Sequence, residues 1–133
     1  SMKHPDWHNR LITVIRAAEK RPFLWGSHDC CLFAADCAQA MCGEDFAAGW
    51  RGTYDSEHGA KKAILRGGGS LEKVLSRYLD EVPVNLAQRG DIAVVENAGA
   101  RCAGVVYSGV VWVPGETGLV SLRVKPLSVW RVR

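Results

Sequence analysis

Residues 21–33 place a cysteine directly after a predicted turn and at the start of a predicted helix. From Cys30 onward, apolar residues recur at spacings of three or four, which is the repeat of one helical face. Asp29 is a favourable N-cap residue, and Gly43 is a natural helix end. The first turn of a helix has unpaired backbone N–H groups and a partial positive charge, which favour an anion. We therefore predict a lowered thiol pKa and a nucleophilic thiolate at Cys30; the alternative is a small buried core residue.

Further helices are predicted on both sides of this one. Asp6 can cap a helix that ends before Pro22. A helix over residues 57–65 is expected to stop at the glycine run of residues 67–69, and Ser70 can cap a fourth helix. The residues of this last helix that are predicted to face inward are Leu71, Val74, Leu75 and Tyr78.

The second half of the chain is rich in β-branched residues separated by turn residues, which predicts strands. Close spacing of these runs favours an antiparallel meander over β-α-β units. The predicted fold class is therefore α+β, with N-terminal helices packed on a small, curled antiparallel sheet formed by the C-terminal half. Residues 44–55 are predicted to be irregular, with Trp50 and Tyr54 as anchors. The predicted strands are residues 92–95, 104–107, 110–113, 119–122 and 129–132.

The whole chain, residues 1–133, is predicted to be one domain, because this length is enough for a single core. We divide it into an N-terminal helix at residues 1–20, a cysteine-helix and helical part at residues 21–82, and a β-sheet part at residues 83–133.

Composition argues against several classes of partner. The net charge of +3 is mild and dispersed, so no nucleic-acid partner is predicted. A membrane span is not expected either, since the sequence has no run of eighteen apolar residues. We also expect no secretion signal, because no charged, apolar and small-residue leader is present.

The five cysteines are an odd number, and four of them lie between residues 30 and 42. This arrangement indicates free thiols in a reducing compartment, not a disulfide framework. Structural zinc sites favour pairs of cysteines separated by two to four residues, and the spacings in this chain do not match that pattern. We therefore predict no metal and no cofactor.

The motifs around Cys30 carry a family resemblance. Residues 22–26, followed by Asp29 and Cys30, resemble the NlpC-type cell-wall cysteine peptidases, a papain-like family whose signature is Tyr-x-Trp-Gly and then Asp-Cys-Ser-Gly at the start of a helix. Residues 90–95 resemble the Gly-Asp-Leu-Val strand that opens the sheet of that family. Residues 103–107 resemble its His-Val-Gly-Ile-Tyr strand.

The chain resembles more closely a group of short phage and prophage proteins related to those peptidases. These proteins combine the Trp-Gly-x-x-Asp-Cys start with an Ala-Trp-Arg-like middle and a closing Trp-Arg-Val, which correspond here to residues 48–51 and 129–132. The resemblance extends over roughly residues 20–133. It implies a papain-like, NlpC-like fold, in which the cysteine helix packs against the sheet and the second catalytic group lies at a strand edge.

The resemblance also implies roles for individual residues. Cys30 matches the nucleophile, and Asp29 precedes it as in the family motif. Cys102 stands where the family has the histidine that acts as base for the thiol. Because Cys102 lies at the start of the chain segment that forms the predicted strand 104–107, and the family's second catalytic group lies at a strand edge, Cys102 is expected to lie near Cys30. The substrate-binding residues that the resemblance implies are Phe23, Trp25 and Gly26.

Several departures from the family pattern concern the chemistry. Phe23 lacks the hydroxyl of the family's tyrosine, which helps to bind the oxyanion, and Cys102 replaces the base. Residues 111–114 offer no polar group to orient a histidine. Nucleophilic catalysis needs a base within hydrogen-bond reach of the nucleophile. His28, two residues before Cys30, is the candidate base nearest in sequence.

Three functions are consistent with these residues. The first is a catalytically degenerate NlpC-like module of a phage or prophage, which serves in the tail or in its assembly. The second is a cysteine peptidase or amidase that cleaves peptidoglycan stem peptides through Cys30. The third is a thiol redox or binding protein that uses Cys30 and Cys102. The phage hypothesis implies tail proteins or peptidoglycan peptides as partners, and a location in the cytoplasm of the bacterial host during assembly or in the virion.

Overall fold

The computed structural model describes residues 2–133, which form four α-helices and a six-stranded antiparallel sheet. Ser1, the first residue of the predicted N-terminal part, lies outside the described residues. The α+β class and the order of helices before strands are confirmed. No helix within residues 2–133 has the length and apolar character that a membrane crossing requires.

The helices are α1 (Trp7–Ala18), α2 (Cys30–Cys42), α3 (Glu57–Gly67) and α4 (Leu71–Tyr78). The strands are β1 (Asp80–Val82), β2 (Ile92–Asn97), β3 (Ala100–Tyr107), β4 (Val110–Gly115), β5 (Gly118–Leu122) and β6 (Ser128–Arg131). A short 3-10 helix, Val84–Leu86, lies between β1 and β2.

The sheet has the strand order β1-β6-β2-β3-β4-β5, and each neighbouring pair is antiparallel. Strands β2 to β5 form the predicted meander, whereas β6 returns to lie between β1 and β2. β1 is a departure from the prediction, because it lies in the part assigned to helices. Its sequence, Asp-Glu-Val, has a weak intrinsic strand preference. It forms as an edge strand because β6 provides the pairing partners, from Asp80 with Arg131 to Val82 with Val129.

Local capping signals explain the ends of two helices. The Asp29 carboxylate accepts a hydrogen bond from the Leu32 N–H at 2.9 Å and so caps α2. Gly43 ends α2 in the left-handed conformation, with a φ of 84°. The Ser70 hydroxyl accepts a hydrogen bond from the Lys73 N–H at 3.2 Å and caps α4. These ends were accessible from the sequence because capping is a local interaction.

Other helix ends depart from the prediction. Asp6 occupies the N-cap position of α1, but its side chain makes no capping bond within residues 2–133. It pairs instead with Arg10 at 2.8 Å. Helix α3 continues past residue 65 to Gly67. Tyr78, predicted to face inward, is 37% exposed, because α4 ends there and the buried position passes to Leu79.

Helix α2 lies between α1 on one side and strands β3 and β4 on the other. The prediction of a single apolar face is therefore corrected, since buried residues occur around most of the helix. Packing on both sides leaves the N-terminus of α2, with Cys30, little freedom to shift relative to the sheet. The buried residues of α2 are Leu32, Phe33, Ala34, Ala35, Cys37, Ala38, Met41 and Cys42.

The central strands are buried on both faces. In β2, Ile92 and Val94 pack with the helices, whereas Ala93 and Val95 belong to a second cluster on the opposite face. This alternation follows from the geometry of a strand, whose successive side chains point to opposite faces. Burial of both faces explains why residues 92–95 are uniformly apolar. The second cluster contains Ala93, Val95, Val106, Val111, Val113 and Val129, and Cys30 and Cys102 pack against it.

The two Trp-Arg motifs act as structural anchors. Trp130 is fully buried, and its indole N–H donates to the Ser76 hydroxyl at 3.0 Å, which ties β6 to α4. Arg51 pairs with Asp36 of α2 at 2.7 Å, which ties the irregular residues 44–55 to that helix. Both motifs therefore have a role in stability that does not depend on chemistry at the site.

The Gly90-Asp91 turn ahead of β2 connects separate parts of the chain. Gly90 has a φ of 89°, and a Cβ there would lie 3.0 Å from the Trp7 ring, so a side chain at this position would be strained. The buried Asp91 carboxylate accepts a hydrogen bond from the Gln88 N–H at 2.7 Å. It also accepts two hydrogen bonds from the Arg131 guanidinium, at 2.9 and 3.1 Å. The turn is thereby held against β6.

We predict that Asp91→Ala lowers the free energy of unfolding by about 3 kcal/mol, because it leaves the Arg131 guanidinium without its buried partner. Urea unfolding followed by circular dichroism measures this loss. The matched control is Asp80→Ala, which removes an exposed pair with Arg133 and should change stability much less. Equal losses in the two variants would contradict the anchoring role of Asp91.

Candidate active site

A cavity of about 250 Å³ opens at the N-terminus of α2, between that helix, α3 and the start of β3. Its walls combine aromatic rings, thiols and a phenol, and its rim carries the cationic side chains of Lys61 and Arg101. The lining residues that bear on chemistry are Phe23, Trp25, Cys30, Cys31, Tyr54 and Cys102.

Cys30 and Cys102 lie in contact in this cavity. Cys30 is the first residue of α2, and Cys102 lies on β3, opposite Val95 of β2. Their side chains share a hydrogen bond, and both are half-buried. The structure therefore brings together the nucleophile position and the base position of the resemblance, with a thiol in each.

The prediction of a lowered pKa at Cys30 is wrong. The hydrogen bond with Cys102 and the desolvation of the buried thiol both raise the pKa of Cys30. The nearby Asp29 carboxylate raises the pKa further, since a second negative charge beside it is unfavourable. The hydrogen bond from Cys30 lowers the pKa of Cys102. Cys102 is therefore the thiol of the pair that ionises first.

Cys31 adds a third thiol to the wall of the cavity. Cys30 and Cys31 are consecutive residues of the first turn of α2, and both line the cavity. Burial raises the pKa of the Cys31 thiol, and the Ala103 backbone N–H donates a hydrogen bond to its sulfur. Cys31 is thus held against β3 as a protonated thiol.

Asp29 organises the entry to α2. Besides the Leu32 N–H, its carboxylate accepts hydrogen bonds from the Gly26 N–H at 3.0 Å and from the Tyr54 hydroxyl at 2.6 Å. Gly26 has a φ of 79°, and a Cβ at that position would collide with the Tyr54 carbonyl oxygen. With these bonds in place, the Asp29 carboxylate is committed to holding the loop and the helix together.

Tyr54 is the site residue that the sequence does not identify. It was predicted only as an anchor, yet its phenol lines the cavity and bonds to Asp29, 25 residues away. Burial, together with the Asp29 carboxylate, raises the pKa of the Tyr54 phenol, so it stays protonated at neutral pH. Nothing in residues 44–55 could have indicated this contact, because it depends on how the irregular segment folds back on α2.

The proposed substrate-binding residues divide into two groups. Phe23 and Trp25 line the cavity and pack edge to face, with ring centroids 4.7 Å apart. The Phe23 N–H donates to the Gly115 carbonyl at 2.9 Å, which fastens the loop to the end of β4. Gly26 is not part of the cavity wall, and its role is to allow the close approach to Tyr54.

The structure does not bring His28 to Cys30. The His28 ring is 1% exposed, lies edge-on to Phe33 at 5.8 Å, and has no hydrogen-bond partner among residues 2–133. It faces a different cavity of about 270 Å³, between α1 and α2. None of the four histidines, all within residues 2–133, lines the cavity of Cys30. A histidine base for the thiol is therefore missing from the cavity, as far as residues 2–133 show.

No group of three or more His, Cys, Asp or Glu side chains within residues 2–133 is arranged to hold a metal ion. The three thiols at the cavity therefore act as individual sulfur groups in this structure, with a hydrogen bond between two of them.

We predict that His28 makes stability sensitive to acid. Burial lowers the pKa of His28; nearby Arg21 lowers it further, whereas Asp36 and Asp29 oppose the shift. The unfolded chain then binds the proton more readily, so stability should fall as the pH drops below about 6.5, by at most about 1.4 kcal/mol per pH unit.

Urea unfolding of the unmodified protein and of His28→Leu, measured across this pH range, tests the prediction. The variant should lose less stability on acidification than the unmodified protein. His58→Leu is the matched control, because His58 is an exposed residue on α3. Parallel pH profiles for the unmodified protein and His28→Leu would contradict the assignment.

The comparisons with known proteins give one match. A family model with the description "Domain of unknown function (DUF6950)" matches residues 2–132. No curated protein and no solved structure matches the chain. Because the family model covers nearly the whole sequence, the chain belongs to the family described as a domain of unknown function, DUF6950.

Proposed function

We propose that this protein is a catalytically degenerate, papain-like module of the NlpC type, of phage or prophage origin, which binds at its cavity and does not hydrolyse. The observation that carries the proposal is the contact between Cys30 and Cys102. It reproduces the pairing of nucleophile and base that the resemblance implies, with a thiol where an imidazole is needed.

The architecture supports this proposal. A cysteine begins a central helix that packs against an antiparallel sheet, and the second thiol lies on the strand next to that helix. The Gly90-Asp91 turn and the Trp130-Arg131 motif both hold the sheet in place. These features support the part of the resemblance that concerns folding, whereas Phe23 and Cys102 differ from the family pattern at positions that concern catalysis.

Activation of Cys30 is the step that this site lacks. A thiolate is the nucleophilic form of cysteine, and the pKa of Cys30 is raised by its bond with Cys102 and by burial. Cys102 is a poor replacement for the imidazole, because the hydrogen bond from Cys30 lowers the pKa of Cys102 and so makes its thiolate a weaker base. General acid–base help is typically worth about 10²–10⁴-fold in rate.

Stabilisation of an oxyanion is also reduced. Phe23 has no hydroxyl, and the Tyr54 hydroxyl in the same cavity already donates to the Asp29 carboxylate at 2.6 Å. The Leu32 N–H already donates to the Asp29 carboxylate, so the donors that remain are the N–H groups ahead of it in the first turn of α2, which have no acceptor within the helix. One lost oxyanion donor typically costs about 10²–10³-fold in rate.

The cavity remains suited to recognition. Phe23, Trp25 and Ile64 provide apolar walls. The lining also carries the oppositely charged side chains of Glu57 and Lys61, whereas the charge of Arg101 is paired with Glu72 at 3.1 Å. These groups suit a peptide that carries apolar side chains together with charged or polar groups. The proposed partners are therefore phage tail proteins or peptidoglycan peptides, met in the cytoplasm of the bacterial host during assembly or in the virion.

We predict no measurable hydrolysis of peptidoglycan stem peptides by the unmodified protein, because the losses of base and oxyanion donor multiply to about 10⁴–10⁷-fold. Mass spectrometry of the peptides after prolonged incubation with the reduced protein measures the products. Cys102→His should restore a trace of hydrolysis, since it returns an imidazole to the position in contact with Cys30.

Cys102→Ser is the matched control for the restored activity, because it alters the same position without supplying a base. Cys30→Ala in the Cys102→His background should abolish any restored hydrolysis. Ready hydrolysis by the unmodified protein, lost on Cys30→Ala alone, would overturn the proposal and favour the peptidase or amidase.

A further inference from the structure

Beyond the proposed function, we propose that Cys30 and Cys102 form a redox-active pair that a low-molecular-weight disulfide oxidises to an intramolecular disulfide. The pair would give the cavity two chemical states, an open dithiol and a cross-linked form. The inference rests on the contact of the two thiols, and it holds whether or not the protein descends from a peptidase.

The placement of the two thiols meets the requirements for such a bond. They lie on different elements, α2 and β3, and their side chains are already in hydrogen-bond contact. The helix α2 and strand β3 pack directly against each other, and Cys30 and Cys102 pack against the same buried cluster, so the two sulfurs face each other across one contact, as a disulfide requires. Both thiols line an open cavity, so a small disulfide can reach them.

The environment also assigns an order to the two sulfurs. Cys102 has the lowered pKa and a hydrogen bond from Cys30, so it is the attacking thiolate. Cys30 holds its proton more tightly and is the resolving thiol.

The reaction proceeds in two exchanges. The Cys102 thiolate attacks one sulfur of the external disulfide. The sulfur–sulfur bond of the external disulfide breaks, so one half leaves as a thiolate and the other half stays on Cys102 as a mixed disulfide. Cys30 then gives its proton to the departing thiolate or to water and attacks the Cys102 sulfur, which releases the second thiol. The external disulfide is reduced to two thiols, and the protein dithiol is oxidised to one disulfide.

The other cysteines are poorly placed to compete. Cys37 and Cys42 are buried in the core between α2 and its neighbours. Cys31 is held as a thiol by burial and by its bond from the Ala103 N–H. The structure therefore assigns the exchange to one specific pair out of the five cysteines, none of which is in a disulfide in the reduced protein.

The test uses the full, reduced protein and oxidised glutathione at neutral pH. After acid quenching and alkylation, trypsin releases peptides 21–51 and 102–123, because Arg101 directly precedes Cys102 and the Arg21-Pro22 bond is resistant. The expected product is these two peptides joined by one disulfide, with Cys37 and Cys42 alkylated. Fragmentation of the joined peptides locates the linked residue of the first peptide.

Three variants assign the roles. Cys30→Ser should stop at a stable glutathione adduct on Cys102. Cys102→Ser should form any adduct on peptide 21–51 roughly tenfold more slowly, since the more acidic thiol is gone. Cys31→Ser is the matched control, because it alters the adjacent residue and should leave the cross-link intact.

Absence of the joined peptides would overturn the proposal, and so would a cross-link that persists in Cys30→Ser or is lost in Cys31→Ser. Circular dichroism of each variant checks the fold first, and Cys30→Ala replaces Cys30→Ser if the latter unfolds. The hydrolysis experiment is carried out under reducing conditions, so failure of the exchange and failure of the proposed function are separate results.

Discussion

The carboxylate of Asp29 holds the site together, because it joins three separate segments of the chain. Its bonds to the Leu32 N–H, the Gly26 N–H and the Tyr54 hydroxyl fix the start of α2, the loop before it and the irregular segment after it. The position of Cys30, the residue that follows Asp29, depends on these bonds. Loss of the carboxylate would release the helix start and one wall of the cavity together.

Burial of α2 on both sides then determines the chemistry of the thiols. The helix is pressed between α1 and the sheet, so its first residue meets Cys102 of β3. In water, the end of the helix would favour a thiolate at Cys30. In this setting the neighbouring thiol and the lost solvent outweigh that effect, and negative charge is more stable on Cys102. The same contact explains both the absence of an activated nucleophile and the suitability of the pair for disulfide exchange.

Local signals could be predicted from the sequence, whereas long-range contacts could not. The Asp29 cap and the Gly43 helix end depend on neighbours within a few residues, and the structure has both. The placement of Cys102 near Cys30 was expected only from a family resemblance. Strand β1, the return of β6 and the bond from Tyr54 all depend on partners far along the chain. The prediction of a lowered pKa at Cys30 is wrong for the same reason, because the shift is caused by burial and by Cys102 on another element.

The most direct test of the account is a titration of thiolate absorbance near 240 nm, since it reports which sulfur ionises first. The account predicts that one thiolate forms below the ordinary cysteine pKa of about 8.5 in the reduced protein. This early transition should disappear in Cys102→Ser and should move to higher pH in Cys30→Ala, which removes the hydrogen bond to Cys102. An early transition that persists in Cys102→Ser and disappears in Cys30→Ala would place the thiolate on Cys30 and contradict the account.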